Sequence, residues 1–260
     1  MTSQYETKRL ITFDRIKIKS NYKYLLNTKV KFNEMFHSRS GEKIGIFYSS
    51  KDDINIPYNL YIAVSYIKQT LTLEFSSKIL KEKYPDLISR DTIKECLTNI
   101  NQLNICDIDV DSILSNGAIT SVDVTYDANL ILSDNLLDAL NSQVNNYRRF
   151  KWAHYDKEGI MFTKDVKSKD CTETITLYNK EKEICPSHNK DFLNSLSQPQ
   201  SVIDYFKEKT RFEITLDTPK KIMKYLNLTD TKIFSVLNSD TNPILAQFDK
   251  VFGNSTANMP

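Results

Sequence analysis

Several features are missing from this sequence of 260 residues, and each absence excludes a class of protein. No run of about 18 apolar residues occurs, because even the most apolar window, Leu60 to Phe75, contains Lys68 and Glu74, so no membrane-spanning helix is expected. The first ten residues carry charges and no apolar core of a secretory signal. The 4 cysteines form no Cys-x-x-Cys pair, which favours free thiols in a reducing cytoplasm over a disulfide framework or a zinc site.

Glycine and proline are also scarce, with 5 and 7 residues. No glycine-rich phosphate-binding loop is present, so ATP-driven unwinding by this chain is not expected. What is present is ordinary globular composition, 40% hydrophobic and 26% charged, which excludes a disordered or fibrous protein. The length is enough for one large domain or two small ones.

The formal net charge of +2 results from a cancellation along the chain. Residues 1–50 contain ten Lys or Arg against four Asp or Glu, whereas residues 101–150 contain two against seven. A basic segment beside an acidic one suits a protein that binds a polyanion and places carboxylates around a metal ion. A chance distribution of surface charge is the alternative.

Apolar and polar residues alternate with a period of two in several segments, which predicts strands. Between them, apolar residues at helical spacing predict helices. The strands are expected at 13–19, 60–67, 70–76, 121–127, 174–180 and 211–216, the helices at 91–100, 134–144, 220–226 and 243–252, and a loop at 185–200. We therefore expect an α+β fold, with an antiparallel sheet covered by helices on one face. A short repeat, in which 73–81 and 212–224 both read as a strand with Glu and then a Lys-rich helix, indicates a duplicated unit or a coincidence.

Three of these strands carry functional groups on the face opposite their apolar side chains, because residues two apart on a strand share a face. Carboxylates are ligands for Mg²⁺ or Mn²⁺, a tyrosine is a candidate nucleophile, and Lys or Arg neutralises phosphate charge. The groups are Asp123 and Asp127, Tyr178 and Lys180, and Arg211 and Glu213. An ordinary solvated sheet face is the alternative.

The order of short motifs resembles the rolling-circle replication initiators of filamentous phages and small plasmids. The run TLYNKEKE at 176–183 is followed by TRFEITL at 210–216, as in the family's Tyr-x-Lys-x-x-Glu and Arg-Phe-Glu strands. FDRIKI at 13–18, LEFS at 73–76 leading to Lys78, and VDVTYD at 122–127 agree in order. The resemblance spans about residues 11–226.

This resemblance implies an HUH-endonuclease-like unit that nicks one DNA strand at an origin. Tyr178 would be the nucleophile, forming a 5′-phosphotyrosine and releasing a 3′-hydroxyl primer, with Lys180 as a second catalytic residue. Arg211 would contact phosphate. A Mg²⁺ or Mn²⁺ ion would be bound by four carboxylates, Asp123, Asp127, Glu183 and Glu213.

Further expectations concern DNA, partners and domains. Lys17, Lys19, Arg148 and Arg149 are expected to contact origin DNA, single-stranded or hairpin at the nick site, and a host helicase is the expected partner. Residues 1–218 are expected to form the initiator and endonuclease-like domain, and 219–260 a C-terminal helical segment and flexible tail. The family's superfamily often carries a His-hydrophobic-His metal motif, which this sequence lacks, leaving either an all-carboxylate metal site or no nuclease. A non-catalytic DNA-binding or replication-control protein of the same fold is therefore the alternative, and a protein-interaction module is a third.

Overall fold

The computed structural model describes residues 11–144, 150–155, 158–164 and 174–252. The strands are β1 Phe13–Asn21, β2 Leu25–Thr28, β3 Asn33–Phe36, β4 Lys43–Ser49, β5 Leu60–Ser65, β6 Thr70–Ser76, β7 Cys106–Ile108, β8 Ala118–Asn129, β9 Phe150–Tyr155, β10 Gly159–Lys164, β11 Thr174–Asn179 and β12 Lys209–Leu216. The α-helices are α1 Ile93–Gln102, α2 Val110–Asn116, α3 Asp134–Val144, α4 Lys180–Ile184, α5 Pro186–Asn194, α6 Pro199–Tyr205, α7 Pro219–Leu226, α8 Ile233–Leu237 and α9 Pro243–Phe252. A 3₁₀-helical segment, Ser77–Asp86, follows β6 and is called the 77–86 segment below.

Ten strands form one sheet in the order β3-β4-β5-β6-β1-β8-β12-β11-β10-β9, and β2 pairs with β7 separately. Every neighbouring pair is antiparallel. The predicted α+β class with an antiparallel sheet is confirmed. The apolar alternation predicts six of the ten strands, β1, β5, β6, β8, β11 and β12, because their inward residues, such as Ile18, Val122 and Ile214, are fully or almost fully buried. It does not predict β3, β4, β9 and β10.

The two halves of the sheet have the same strand order when read outward from its centre. The first half runs β1, β6, β5, β4, β3, and the second runs β8, β12, β11, β10, β9. β6 and β12, which carry the short sequence repeat, occupy equivalent places in the two halves. Descent from a duplicated unit stays a prediction.

Helical segments cover both faces of the sheet at β12, as two consecutive residues of that strand show. The ring of Phe212 lies 5.0 Å from that of Phe248 in α9. The neighbouring Arg211 points to the opposite face, where its guanidinium lies 5.4 Å from the rings of Tyr84 and Phe206. The sheet's second cover, formed by the 77–86 segment and the residues around α6, encloses the polar side chains that the sequence places on an open face.

The loop predicted at 185–200 is wrong. Residues 185–200 contain α5 and the start of α6, each with a proline in its first turn, and Phe192 and Leu193 of α5 are buried. Their burial against distant residues, such as the T-shaped contact of Phe192 with Tyr84, stabilises helices that the local pattern does not reveal.

Two further expectations concern the ends of elements. The strand predicted at 174–180 ends at Asn179, and Lys180 begins α4, where the Asn179 side chain accepts a hydrogen bond from the Lys182 backbone.

The domain boundary at residue 218 stays a prediction, although α7 and α9 both pack on β8 and β12. Arg148 and Arg149 lie outside the described residues. None of the helices in the described ranges is long and apolar enough to cross a membrane.

Candidate functional site

A cluster of buried and half-buried polar side chains lies between β8, β11 and β12 and the segments that cover them. We call it the polar cluster. Its members are Asp14, Lys78, Tyr84, Asp127, Tyr178, Lys180, Glu183, Asn189, Arg211 and Glu213. Five of them, Asp127, Tyr178, Lys180, Arg211 and Glu213, belong to the three strand pairs that the sequence singles out.

Arg211 is at the centre of the polar cluster and has no exposed surface. Its Nε and Nη2 donate to the two carboxylate oxygens of Asp127 at 2.7 and 2.8 Å, a bidentate pair. Its Nη1 donates at 3.0 Å to Asp14 and to the hydroxyl of Tyr84. The strand register brings these groups together, because Arg211 lies directly opposite Asp127 on β8 and Tyr178 on β11.

The phosphate contact expected for Arg211 stays a prediction, and the surroundings of its side chain favour another role. All guanidinium nitrogens are bonded within the protein, and the side chain is enclosed, so this arrangement leaves no surface of Arg211 for a DNA backbone. We assign Arg211 to positioning the polar cluster.

Tyr178 is directly bonded to Glu213. The Tyr178 hydroxyl donates to Oε1 of Glu213 at 3.1 Å, and the same oxygen lies 4.0 Å from Nη1 of Arg211. Burial, and then the neighbouring charge of Asp14, raises the pKa of Glu213 to about 8. Burial and the proximity of Glu213 also raise the pKa of Tyr178 above its usual value of 10. Glu213 is therefore more basic than an ordinary carboxylate and is placed to accept the proton of Tyr178.

Lys180 is almost completely buried beside Tyr178. Its ammonium donates to Glu183 and lies 5.6 Å from the ring of Tyr178. Burial, followed by repulsion from Arg211, lowers the pKa of Lys180 below 10.5. The position therefore supplies positive charge close to Tyr178, although this charge comes from the first turn of α4 and not from the strand.

Four members of the polar cluster, Asp14, Lys78, Tyr84 and Asn189, were not identified from the sequence as site residues. Asp14 binds Arg211 and accepts a hydrogen bond from Ser77 at 2.5 Å. Lys78 donates to Asn189 at 2.5 Å and lies 3.7 Å from Glu183. Asp14 and Lys78 do occur in the motif pieces of the resemblance, which was the available signal, whereas Asn189 lies in the stretch predicted as a loop.

Asp123 belongs to a separate network on the same sheet. Its two carboxylate oxygens accept from Arg15 at 2.7 and 3.0 Å, and Oδ1 also accepts from Thr215 at 2.8 Å. Arg15 also bonds to Glu74 at 2.8 Å, and Glu74 pairs with Lys17 at 2.9 Å. Asp123 is thus neutralised by its own arginine, as Asp127 is by Arg211.

The four expected metal ligands are therefore not arranged as a ligand set. Asp123 and Asp127 are each held by an arginine, Glu183 by Lys180 and Lys78, and Glu213 by Tyr178. In the parts of the chain that the structure describes, no three His, Cys, Asp or Glu side chains are grouped so as to hold a metal ion. The carboxylates do not fit a divalent cation as they stand, and its binding by these residues stays a prediction.

The expected DNA-contacting lysines of β1 line an open groove of about 430 Å³. Lys19 is exposed, whereas Lys17 is partly exposed and paired with Glu74. The groove's lining residues are Arg15, Lys17, Lys19, Thr120, Ser121, Asp217 and Pro219. The groove adjoins the Asp123 network through Arg15, so a DNA strand bound there would run along the same sheet face.

The fold and the polar cluster together give an antiparallel sheet that carries a hydrogen-bonded Tyr-Glu pair on adjacent strands. The model of a phage family, described as the N-terminal part of a replication-associated protein, matches residues 87–235, which is more than half of the chain. The chain belongs to this family of filamentous-phage replication initiators and has a role in rolling-circle replication. No curated protein matches the chain.

Proposed function

We propose that this chain is a strand-specific nicking enzyme in which the Tyr178 hydroxyl attacks the scissile phosphate at a replication origin. The observation that supports the proposal is the 3.1 Å hydrogen bond from Tyr178 to Glu213, because a basic carboxylate beside the hydroxyl can accept its proton. A general base works best when its pKa lies near the working pH, and the pKa of Glu213 is raised to about 8.

In the proposed step, ionised Glu213 takes the proton of the Tyr178 hydroxyl while the hydroxyl oxygen of Tyr178 forms a bond to phosphorus. The bond from phosphorus to the 3′ oxygen breaks, and that oxygen takes up a proton from water, while Glu213 releases the proton of Tyr178 to solvent, so that no proton is gained or lost overall. The products are a 5′-phosphotyrosine and a free 3′-hydroxyl that primes synthesis. Because one phosphate ester replaces another, the reverse reaction can rejoin the strand.

Positive charge near Tyr178 supports this chemistry. The Lys180 ammonium, 5.6 Å from the Tyr178 ring, would stabilise charge that develops on the phosphate oxygens. Arg211 holds Asp127 and Asp14 and thereby keeps the carboxylates beside Glu213 neutralised. Lys17 and Lys19, in the groove along β1, would bind the DNA backbone on the way to the site.

The proposal extends to the setting of the reaction. We place it in the cytoplasm, on single-stranded or hairpin DNA at the origin, with unwinding by a host helicase because the sequence has no phosphate-binding glycine loop. The resemblance implies a Mg²⁺ or Mn²⁺ requirement.

Nicking of a supercoiled plasmid that carries the cognate origin tests the proposal. We expect the wild-type chain to convert it to open circles, and Tyr178→Phe to reduce nicking to background while leaving origin binding intact, since only one oxygen is removed. Tyr61→Phe is the matched control, because Tyr61 is also a partly exposed strand tyrosine but lies in the other half of the sheet. Parallel assays with Mg²⁺, with Mn²⁺ and with a chelator test whether nicking requires a divalent cation. Full nicking by Tyr178→Phe would refute the assignment.

A second candidate is a non-catalytic DNA-binding or replication-control protein. The pairing of Asp123 and Asp127 with arginines favours it, because neither carboxylate is free to hold a metal ion. Origin binding by the wild-type chain without nicking under any of the cation conditions would establish this alternative.

A further inference from the structure

An exposed aromatic ring and an ammonium group lie together at the end of α6 and the start of β12. Tyr205 is 42% exposed, and Nζ of Lys209 lies 4.6 Å from the centre of its ring. The same Nζ donates at 2.6 Å to the amide oxygen of Asn129, which is neutral, and no ion pair of Lys209 with another described residue is found. The adjacent Asp204 is paired with Lys207 at 2.7 Å, so its negative charge is matched.

This pair borders the polar cluster. The Tyr205 ring makes a T-shaped contact with Phe206, with the ring centres 4.9 Å apart. Phe206 in turn lies 5.4 Å from the guanidinium of Arg211 and 5.3 Å from the ammonium of Lys180. Lys209 and Arg211 are two residues apart on β12 and share its face. The ring of Phe206 therefore connects a ligand on Tyr205 with Arg211 and Lys180 of the polar cluster.

The chemistry of the pair suits one class of ligand. An exposed tyrosine ring offers a π-face on which a nucleobase stacks, and a neighbouring ammonium binds the phosphate of the same nucleotide. Paired bases are already stacked within a duplex, so only an unpaired nucleotide can use both groups. Leu130 and Ile131, which follow Asn129, are also exposed and extend the apolar surface beside Lys209.

We propose that Tyr205 and Lys209 form a subsite that binds an unpaired nucleotide of the DNA strand presented to Tyr178. The inference rests on the proposed function, since it assumes that single-stranded DNA is the substrate. Tyr205 is a binding residue in this account and takes no part in the covalent step. In the free protein the Lys209 ammonium lies near the ring, and the base and phosphate of the nucleotide replace that contact.

Two oligonucleotides of equal length and charge test the subsite, an oligothymidylate and an abasic strand that carries the phosphates without bases. We expect the wild-type chain to bind the thymidylate about tenfold more tightly, the ratio given by about 1.4 kcal/mol of stacking on one ring. Tyr205→Ala should bring this ratio close to one, and Tyr205→Trp should keep it. Lys209→Gln should weaken binding of both strands and leave the ratio unchanged, since it removes charge only.

Tyr66→Ala is the control, because Tyr66 is 43% exposed and lies in the turn between β5 and β6. It should keep the wild-type ratio. A wild-type ratio near one, or a Tyr205→Ala ratio as high as that of wild type, would overturn the subsite. Neither strand carries an origin, so the ratio is independent of nicking: loss of the Tyr178 assignment would leave this result standing, and failure of the subsite would leave the nicking assay unaffected. Circular dichroism of each variant shows whether it is folded.

Discussion

Replacing Arg211 with methionine tests whether this residue holds the polar cluster together or contacts DNA. Methionine keeps much of the side chain's length and removes its charge and all its donors. Asp127, whose side chain is 5% exposed, would lose both bonds of its bidentate pair, and Asp14 and Tyr84 would each lose one. The variant therefore leaves a buried carboxylate without a counter-charge.

The size of the effect follows from that loss. Removing one partner of a buried ion pair costs about 3–5 kcal/mol of unfolding free energy. At about 2–4 °C per kcal/mol for a chain of this size, the midpoint of thermal unfolding should fall by roughly 6–20 °C. Differential scanning calorimetry and urea unfolding measure these quantities.

Two control variants separate the causes. Adding Asp127→Asn to Arg211→Met should restore part of the stability, because it removes the uncompensated charge. Lys17→Met removes a cation from a partly exposed pair with Glu74 and should cost less than about 1 kcal/mol. If Arg211→Met were as stable as wild type and only weakened DNA binding, the positioning role would be refuted and the phosphate contact restored.

Three further predictions concern ionisation, geometry and DNA binding. Folding raises the pKa of Glu213 from 4.5 to about 8, so between these pH values the folded chain keeps a proton that the unfolded chain releases. The free energy of unfolding should therefore fall as the pH rises from about 4.5 to about 8. Glu213→Gln should lose this contribution to the pH dependence of the unfolding free energy, measured by urea titration, and an unchanged pH dependence would contradict the burial of the Glu213 charge. A Cβ at Gly159 would lie 2.5 Å from the Leu177 carbonyl oxygen and from Cβ of Tyr178. Gly159→Ala should therefore displace Tyr178 and, under the proposed mechanism, slow nicking by about a hundredfold in a folded protein; nicking at the wild-type rate would show that the position is not constrained. Lys19→Gln should reduce the slope of log affinity against log salt concentration by about one, and Lys17→Gln should reduce it by less because Glu74 already pairs with Lys17. Slopes equal to that of the wild-type chain in both variants would show that β1 does not contact the DNA backbone.

Much of the sheet could be predicted from the sequence because a strand with one buried face shows its period locally. Val122 and Val124 alternate with Ser121 and Asp123, and the structure places them in β8 with the valines buried. The antiparallel register then brings polar residues of separate strands together, such as Tyr178 opposite Arg211. The order of these motifs along the chain is what resembles the initiators, and that resemblance selected the residues expected at the site.

The partners of those residues could not be predicted in the same way. Arg211 bonds to Asp14 and Tyr84, which are 197 and 127 positions away in the sequence. No local sequence pattern indicates that the 77–86 segment and the residues after α6 cover the face of the sheet that carries Arg211. For this reason the sequence alone leads to the expectation of Arg211 at the DNA surface, whereas the structure encloses it.

Mass spectrometry of the protein after reaction with origin DNA tests whether Tyr178 forms the proposed covalent link. The wild-type chain would be incubated with an origin oligonucleotide under nicking conditions, digested with trypsin and a nuclease, and analysed by mass spectrometry. We expect a nucleotide joined through its 5′-phosphate to Tyr178, and no adduct in Tyr178→Phe. An adduct on another residue, or strand cleavage without any adduct, would contradict this expectation.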